Sequence, residues 1–191
     1  MHANTLPNPT EKGASGGATR GTEVHIRLAT RDDMPEVLKM IQELADYEGV
    51  PTRLHVHDLV RDGFESSPPW FFVLLAVRDE QLLGQALCNY AYSSWTGRSF
   101  YLEDLYVYPH VRRLGVARRL LQHLCEMAVK KGVSRIDWHV LKNNAPALAL
   151  YARTGARDMC LTEGRVALRL DAPRIQAVAQ GHLLPPAPAQ V

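Results

Sequence analysis

Arg112, Arg113 and Gly115 stand between an apolar run that ends at Val107 and a helical repeat that begins at Val116. A cationic, glycine-containing turn that feeds a helix is suited to holding an anion. The first turn of a helix leaves backbone N–H groups without partners, and the helix dipole favours negative charge there. A glycine lets a phosphate approach the backbone with no Cβ in the way. An ordinary strand-to-helix connection with solvated arginines has the same spacing, and spacing alone does not separate the two. The glycines and the Lys-Ser/Thr pair of the P-loop and dinucleotide fingerprints are absent.

A second group of residues could handle protons. Glu103 and Asp104 interrupt the apolar run Tyr101–Val107. Carboxylates are rarely buried without a partner, so a pair inside a strand calls for one. Strand alternation would put the two on opposite faces, one for a cleft and one for a structural contact. Glu48 alone reads as a surface residue at a helix end. Tyr151 falls on an apolar helix face, where packing is the simpler reading. Trp95 in a turn reads first as a packing cap. His55 and His57 lie at i and i+2, which do not share a helical face, so no metal site is expected there. Cys88, Cys125 and Cys160 have neither metal-ligand nor disulfide-framework spacing. Each reads as a small buried apolar residue.

The elements that must position these residues follow from periodicity. Glu23–Ala29 alternates as a strand. Thr30 is a suitable N-cap, with Asp32 and Asp33 in the first turn of a helix that carries Val37, Leu38, Ile41, Leu44 and Ala45 on one face. Gly49 and Pro51 end it. Leu54–Phe64 predicts a second, shorter helix. Trp70–Val77 and Leu82–Tyr92 read as strands around a polar turn, with Gly84 at a bulge. A second turn at Ser93–Arg98 leads into the strand that carries Glu103. The helix after Gly115 holds Leu120, Leu121, Leu124, Met127 and Ala128 at helical spacing and stops at Gly132. Ser134–Leu141 predicts another strand. Asn144 caps a helix that runs to Gly155, and Arg157–Leu161 with Val166–Leu170 predicts a closing hairpin around Gly164.

The expected order is β-α-α-β-β-β-α-β-α-β-β, an α/β fold with one central mixed, mostly antiparallel sheet and helices on both faces. Three segments are expected: a disordered leader over 1–22, one domain over 23–171 and a flexible Ala/Pro-rich tail over 172–191. The 191 residues suit a single domain, and 46% hydrophobic with 22% charged residues is an ordinary soluble composition. A net charge of +2 argues against a nucleic-acid partner. No apolar run is long enough for a membrane span, and the N-terminus lacks the basic and apolar regions of a secretory signal. A cytoplasmic location is expected.

Arg112-x-x-Gly115-x-Ala117 after an apolar strand resembles the Arg/Gln-x-x-Gly-x-Gly/Ala acyl-CoA signature of the GNAT N-acetyltransferases. The element order is similar too, over roughly Val24–Leu170. Four strings are closer still: Glu43-Leu44-Ala45-x-Tyr47-Glu48, Asp62-Gly63-Phe64, Tyr101-Leu102-Glu103-Asp104 and Tyr151-x-x-x-Gly155-Ala156. They are similar to the spermidine/spermine N1-acetyltransferases and their thialysine-acetylating relatives.

This resemblance implies acetyl-CoA as co-substrate, a small primary amine as acceptor, direct attack on the thioester and no metal. It implies that the backbone of Leu105, Tyr106 and Val107 holds the pantetheine arm. Arg112, Arg113, Leu114, Gly115, Val116, Ala117 and Arg118 would surround the pyrophosphate, and Asn144 would contact CoA. Tyr151 would protonate the departing thiolate. Glu103 would serve the amine as a base, directly or through water, with Tyr47, Glu48, Ser93 and Trp95 on the substrate side. A homodimer is expected. Alternatives are a protein lysine or N-terminal acetyltransferase and a non-catalytic CoA-binding module. The match has three departures: Thr154 stands in place of an arginine, Arg165 in place of an aromatic, and Ser93-Ser94-Trp95 in place of the Asp-Pro-Trp of the polyamine branch. The thialysine branch has Ser at the first of those three positions.

Overall fold

The computed structural model describes residues 23–182. The expected leader over 1–22 and the end of the tail, 183–191, lie outside them. The chain divides into two compact units, Met1–Val140 and Leu141–Val191.

The first unit is a five-stranded sheet in the order β1-β2-β3-β4-β5. Its strands are β1 (His25–Leu28), β2 (Phe72–Arg78), β3 (Gln81–Ser93), β4 (Gly97–Val107) and β5 (Arg135–Asp137). Consecutive strands pair antiparallel except β4 and β5, which are parallel. The long helices are α1 (Met34–Glu48) and α3 (Val116–Lys131), with a short α2 (Val56–Val60) between α1 and β2. This is the mixed sheet flanked by helices that the sequence predicts. Its core is apolar: Met34, Val37 and Met40 of α1, Leu74, Leu75 and Ala76 of β2, Phe100 and Leu102 of β4, and Leu120 and Leu124 of α3 are almost wholly buried.

Local chemistry sets the ends of α1. A single turn at Arg31–Asp33 precedes it. The Asp33 carboxylate accepts from Thr30 N (2.7 Å) and Thr30 Oγ1 (2.8 Å), and it takes a two-point ion pair from Arg27 at 2.7 and 2.8 Å. That pairing holds the Asp33 carboxyl well below its ordinary range. Gly49, at φ 71°, stops the helix in the left-handed conformation that glycine adopts without penalty. Two phenols tie β4 and the turn after it to α1. Tyr106 donates to Glu43, and Tyr108 donates to Glu36 at 2.6 Å. Gly84 is required by contact: a Cβ there would sit 2.4 Å from the Tyr106 carbonyl oxygen. The register slips beside it, between Ala76 and Val77.

The second unit departs from the predicted hairpin. It contains α4 (Ala145–Ala152), α5 (Met159–Glu163) and α6 (Ala172–Ala179). Residues expected as a strand over Arg157–Leu161 enter α5 instead. Asp158 Oδ1 accepts from Cys160 N at 2.9 Å and from Leu161 N at 3.3 Å, and Gly164 closes the helix at φ 65°. A capped turn needs only neighbours in sequence, whereas a hairpin needs a covered face for its alternating residues. Val166 and Leu168 are 71% and 91% exposed, so that face is not covered in this chain. The tail expected from Ala172 begins with a helix. The strand expected over Ser134–Leu141 is reduced to three residues. Cys88 is buried as expected, but Cys125 and Cys160 are exposed. Among the described residues, no helix is long and apolar enough to cross a membrane.

Candidate active site

The turn after β4 has the conformation that its residues suggest. Arg112 folds back, its Nε donating to the Val107 carbonyl at 3.0 Å, and its guanidinium lies 5.9 Å from the ring centres of both Tyr47 and Tyr106. Arg113 (φ 67°) and Gly115 (φ 81°) are both left-handed. Gly115 is the residue before the first turn of α3, and a Cβ built there would meet nothing within 4 Å. Arg112, Arg113, Leu114 and Arg118 are exposed around it. The Val116 side chain turns into the core, 2% exposed. The open space, the unpaired first-turn amides and the arginines therefore coincide, as an anion site requires. The left-handed Arg113 costs about 1–2 kcal/mol of backbone strain, which the anchored turn sustains.

β4 has two features that matter to chemistry. Its parallel pairing with β5 covers Ser99, Phe100 and Tyr101 and ends there. Leu105, Tyr106 and Val107 thus lie on a part of β4 that β5 does not reach. The second feature is a bulge. Leu87 pairs with Asp104 and Cys88 with Leu102, so Glu103 has no residue opposite it. The slip breaks the alternation from which opposite faces were expected for Glu103 and Asp104. Glu103 is exposed and Asp104 is partly buried. The Asp104 carboxyl is pushed up to about 6, first by burial and then by the negative charges of Glu103 and Glu48. Asp104 therefore feels two other carboxylates, Glu103 on β4 and Glu48 in the last turn of α1. Tyr47, beside Glu48, is 57% exposed and flanks Arg112.

Asp104 is the member of this group that sequence reasoning left without an assigned role. Its signal was present in the string Glu103-Asp104, but the bulge at the pair arises from cross-strand register. Its raised carboxyl also predicts a pH effect. A carboxyl with a higher pKa in the folded chain than in the unfolded one imposes no cost below about pH 4, where both forms are protonated. Its cost grows as pH rises through about 6. The full shift corresponds to at most about 3 kcal/mol, and residual solvent screening reduces it. Asp104→Asn is therefore expected to stabilise the fold by about 1–2 kcal/mol at pH 7.5 and to change it little at pH 4. Urea midpoints at the two pH values test this, and equal effects at both would remove the charge explanation.

Ser93 and Trp95 lie elsewhere. Ser93 pairs with Gly97 at the far end of the β3–β4 hairpin, about 20 Å along β4 from Glu103 at the usual strand rise. Ser93 is only 6% exposed. Its Oγ accepts from Trp95 N at 3.2 Å, Thr96 N at 3.3 Å and Arg135 Nη1 at 3.3 Å. The hydroxyl expected to face a substrate is instead committed to its own turn and to β5. Trp95 is 72% exposed at the same turn. Within one chain, neither joins the carboxylate group.

In the second unit, Asn144 caps α4, its Oδ1 accepting from Ala147 N at 3.3 Å. Its side-chain NH₂ keeps two donors. Tyr151 lies half-buried in the last turn of the same helix. Thr154, one of the three departures, donates from Oγ1 to the Tyr151 carbonyl at 2.7 Å. Arg165, another, pairs with Glu163 at 2.9 Å.

The sheet thus has a cationic, left-handed turn at the start of α3 and a bulged acidic strand before it. Residues 37–156 match the model of the acetyltransferase (GNAT) family, and the chain belongs to that family and is an N-acetyltransferase. It is 35% identical over 167 residues to a thialysine N-epsilon-acetyltransferase of Sus scrofa, covering 82% of this chain and 97% of that one. A Caenorhabditis elegans protein of the same name is 34% identical over 155 residues, covering 81% and 96%. Among solved structures, an integron cassette protein from the mobile metagenome of V. cholerae superposes with a TM-score of 0.69 at 22% identity. It covers 84% of this chain and 99% of that one. That likeness concerns the fold alone.

Proposed function

We propose that this acetyltransferase moves the acetyl group of acetyl-CoA to the primary amine of a small, amino-acid-like molecule of the thialysine type. The observation that carries the reading is the Asp104 carboxyl at the β4 bulge, pushed up by burial and by the negative charges of Glu103 and Glu48. A primary aliphatic amine has a pKa of about 10 and arrives as a cation. These carboxylates attract it, and Glu103, exposed at the bulge, is the base that takes its proton directly or through one water. The free amine attacks the thioester carbonyl. A C–N bond forms, the C–S bond breaks and the thiolate leaves. Tyr151 supplies the proton that the thiolate takes up.

In this reading the first-turn amides of α3, with Arg112, Arg113 and Arg118, hold the pyrophosphate. The part of β4 beyond β5 offers its backbone to the pantetheine arm. The same backbone can donate to the developing oxyanion. Asn144 contacts CoA from the start of α4. No step calls for a metal. A homodimer and a reducing compartment complete the proposal, the latter in keeping with three cysteines that are all free thiols.

The substrate class rests on two supports. Four relatives, 32–35% identical over 81–82% of the chain, are named for thialysine, beside one at 33% over 73% of the chain that is named as spermidine/spermine N(1)-acetyltransferase-like. In addition, the carboxylates that bear on Asp104 are confined to Glu103 and Glu48. An extended polycation would want further carboxylates along its length. A charge-assisted hydrogen bond is worth about 1.5–3 kcal/mol, on the order of ten- to a hundredfold in specificity. The test is kcat/KM by CoA release for thialysine and spermidine. A preference for thialysine of at least about tenfold is expected, and a preference for spermidine would overturn the substrate assignment.

A further inference from the structure

His55 stands in extended conformation (φ −122°, ψ 162°) immediately before α2, with His57 and Asp58 in the helix's first turn. Helical spacing therefore does not separate the two histidines, because one of them is outside the helix. Their rings stack instead, with centroids 5.4 Å apart and planes 20° from parallel. Asp58 lies against both. His55 Nδ1 is 3.5 Å from its Oδ2 and His57 Nε2 is 3.3 Å from its Oδ1.

We propose that His55, His57 and Asp58 form a binding site for a divalent transition metal of the zinc or nickel type, separate from the residues assigned to acetyl transfer. One ligand atom from each residue lies within 4.8 Å of the other two. Two donors bound tetrahedrally at about 2.0–2.2 Å from a metal are about 3.3–3.6 Å apart. Each imidazole already lies that far from one carboxylate oxygen of Asp58, His55 from Oδ2 and His57 from Oδ1. The imidazoles are 71% and 74% exposed, so rotation about their side-chain bonds closes the remaining edge.

The carboxylate is fixed in advance. It accepts from His55 N at 3.0 Å and from Arg61 Nη1 at 3.1 Å, which leaves other lone pairs for a metal. The bond from the His55 amide orients the Asp58 carboxylate at the start of α2. Arg61 is the charge that opposes a cation here. It also makes hydrogen bonds of 2.8 and 2.9 Å to Asp62, which offsets part of that opposition. Two nitrogen donors and one oxygen favour zinc, nickel or copper over magnesium or calcium, which prefer oxygen alone. Water fills the remaining positions.

The experiment is calorimetric titration of the full chain with ZnCl₂, in a Cys125→Ser/Cys160→Ser background that removes the exposed thiols as competing ligands. One zinc ion per chain is expected at pH 7.5. Affinity should fall about tenfold or more at pH 5.5, because a histidine ligand binds a metal only in its neutral form. His57→Gln in the same background, with an unchanged circular dichroism spectrum, should bind at least about tenfold more weakly. It leaves His55 and Asp58 in place at the start of α2. Identical isotherms for parent and His57→Gln would overturn the proposal. So would binding that does not weaken on acidification. Either would leave the histidines as ion-pair partners of Asp58.

Discussion

Gly115→Glu is expected to abolish measurable acetyl-CoA binding while the chain still folds. A Cβ at this position meets nothing within 4 Å, so the glutamate has room. Its cost to folding is the left-handed backbone at φ 81°, about 1–2 kcal/mol for a residue with a side chain. Its effect on binding is larger. The new carboxylate would occupy the space in front of the α3 amides and repel a pyrophosphate from it. Losing two charge-assisted hydrogen bonds at about 1.5–3 kcal/mol each weakens binding by about a hundredfold to ten-thousandfold. Gly115→Ala carries the same backbone strain without the charge and should retain much of the affinity. Calorimetry with acetyl-CoA on both variants separates the two terms. Unchanged affinity in Gly115→Glu would remove the anion site from the start of α3.

Tyr151→Phe addresses the chemical step. It keeps the ring and deletes the hydroxyl, so packing in α4 is retained. If the phenol protonates the departing thiolate, turnover should fall by about a hundredfold or more, the scale of losing a general acid. Acetyl-CoA affinity should stay within about twofold, since the contact matters only as charge develops on sulfur. Single-turnover kinetics with saturating amine give the comparison. Near-wild-type turnover would return Tyr151 to a packing role.

Much of the fold was legible in the sequence because it rests on long, regular patterns. Val37, Ile41, Leu120 and Leu124 recur at helical spacing, and β2 is a nearly continuous apolar run. Gly49 and Gly132 mark helix ends through a conformation that glycine accepts freely. The strand-to-helix turn at Gly115 was legible for the same reason: Arg112, Gly115 and Ala117 are local, and so is the geometry they produce. What was not legible depends on pairing across distance or on competition between local structures. The bulge at Glu103 is a one-residue slip between β3 and β4 that no spacing along β4 announces. Arg157–Leu161 reads as a strand beside Val166–Leu170, yet the Asp158 side chain offers the backbone a helical turn first. Ser93 looked available because turns are usually exposed, and Arg135, far along the chain, closes over it. His55 and His57 looked separated only while both were placed inside one helix.

The bulge has a consequence for how the protein meets its substrate. Asp104 titrates near pH 6 because burial and two neighbouring anions oppose its charge. An arriving ammonium group reverses the sign of that local field and acts as a counter-ion. Binding then draws the carboxyl back towards its ordinary range, so a proton leaves the protein as the amine enters. Between about pH 5 and 7, the measured heat of amine binding should therefore change with the ionisation enthalpy of the buffer that accepts this proton. Cation capture and proton release become one thermodynamic event, and a single extra residue in one strand couples them.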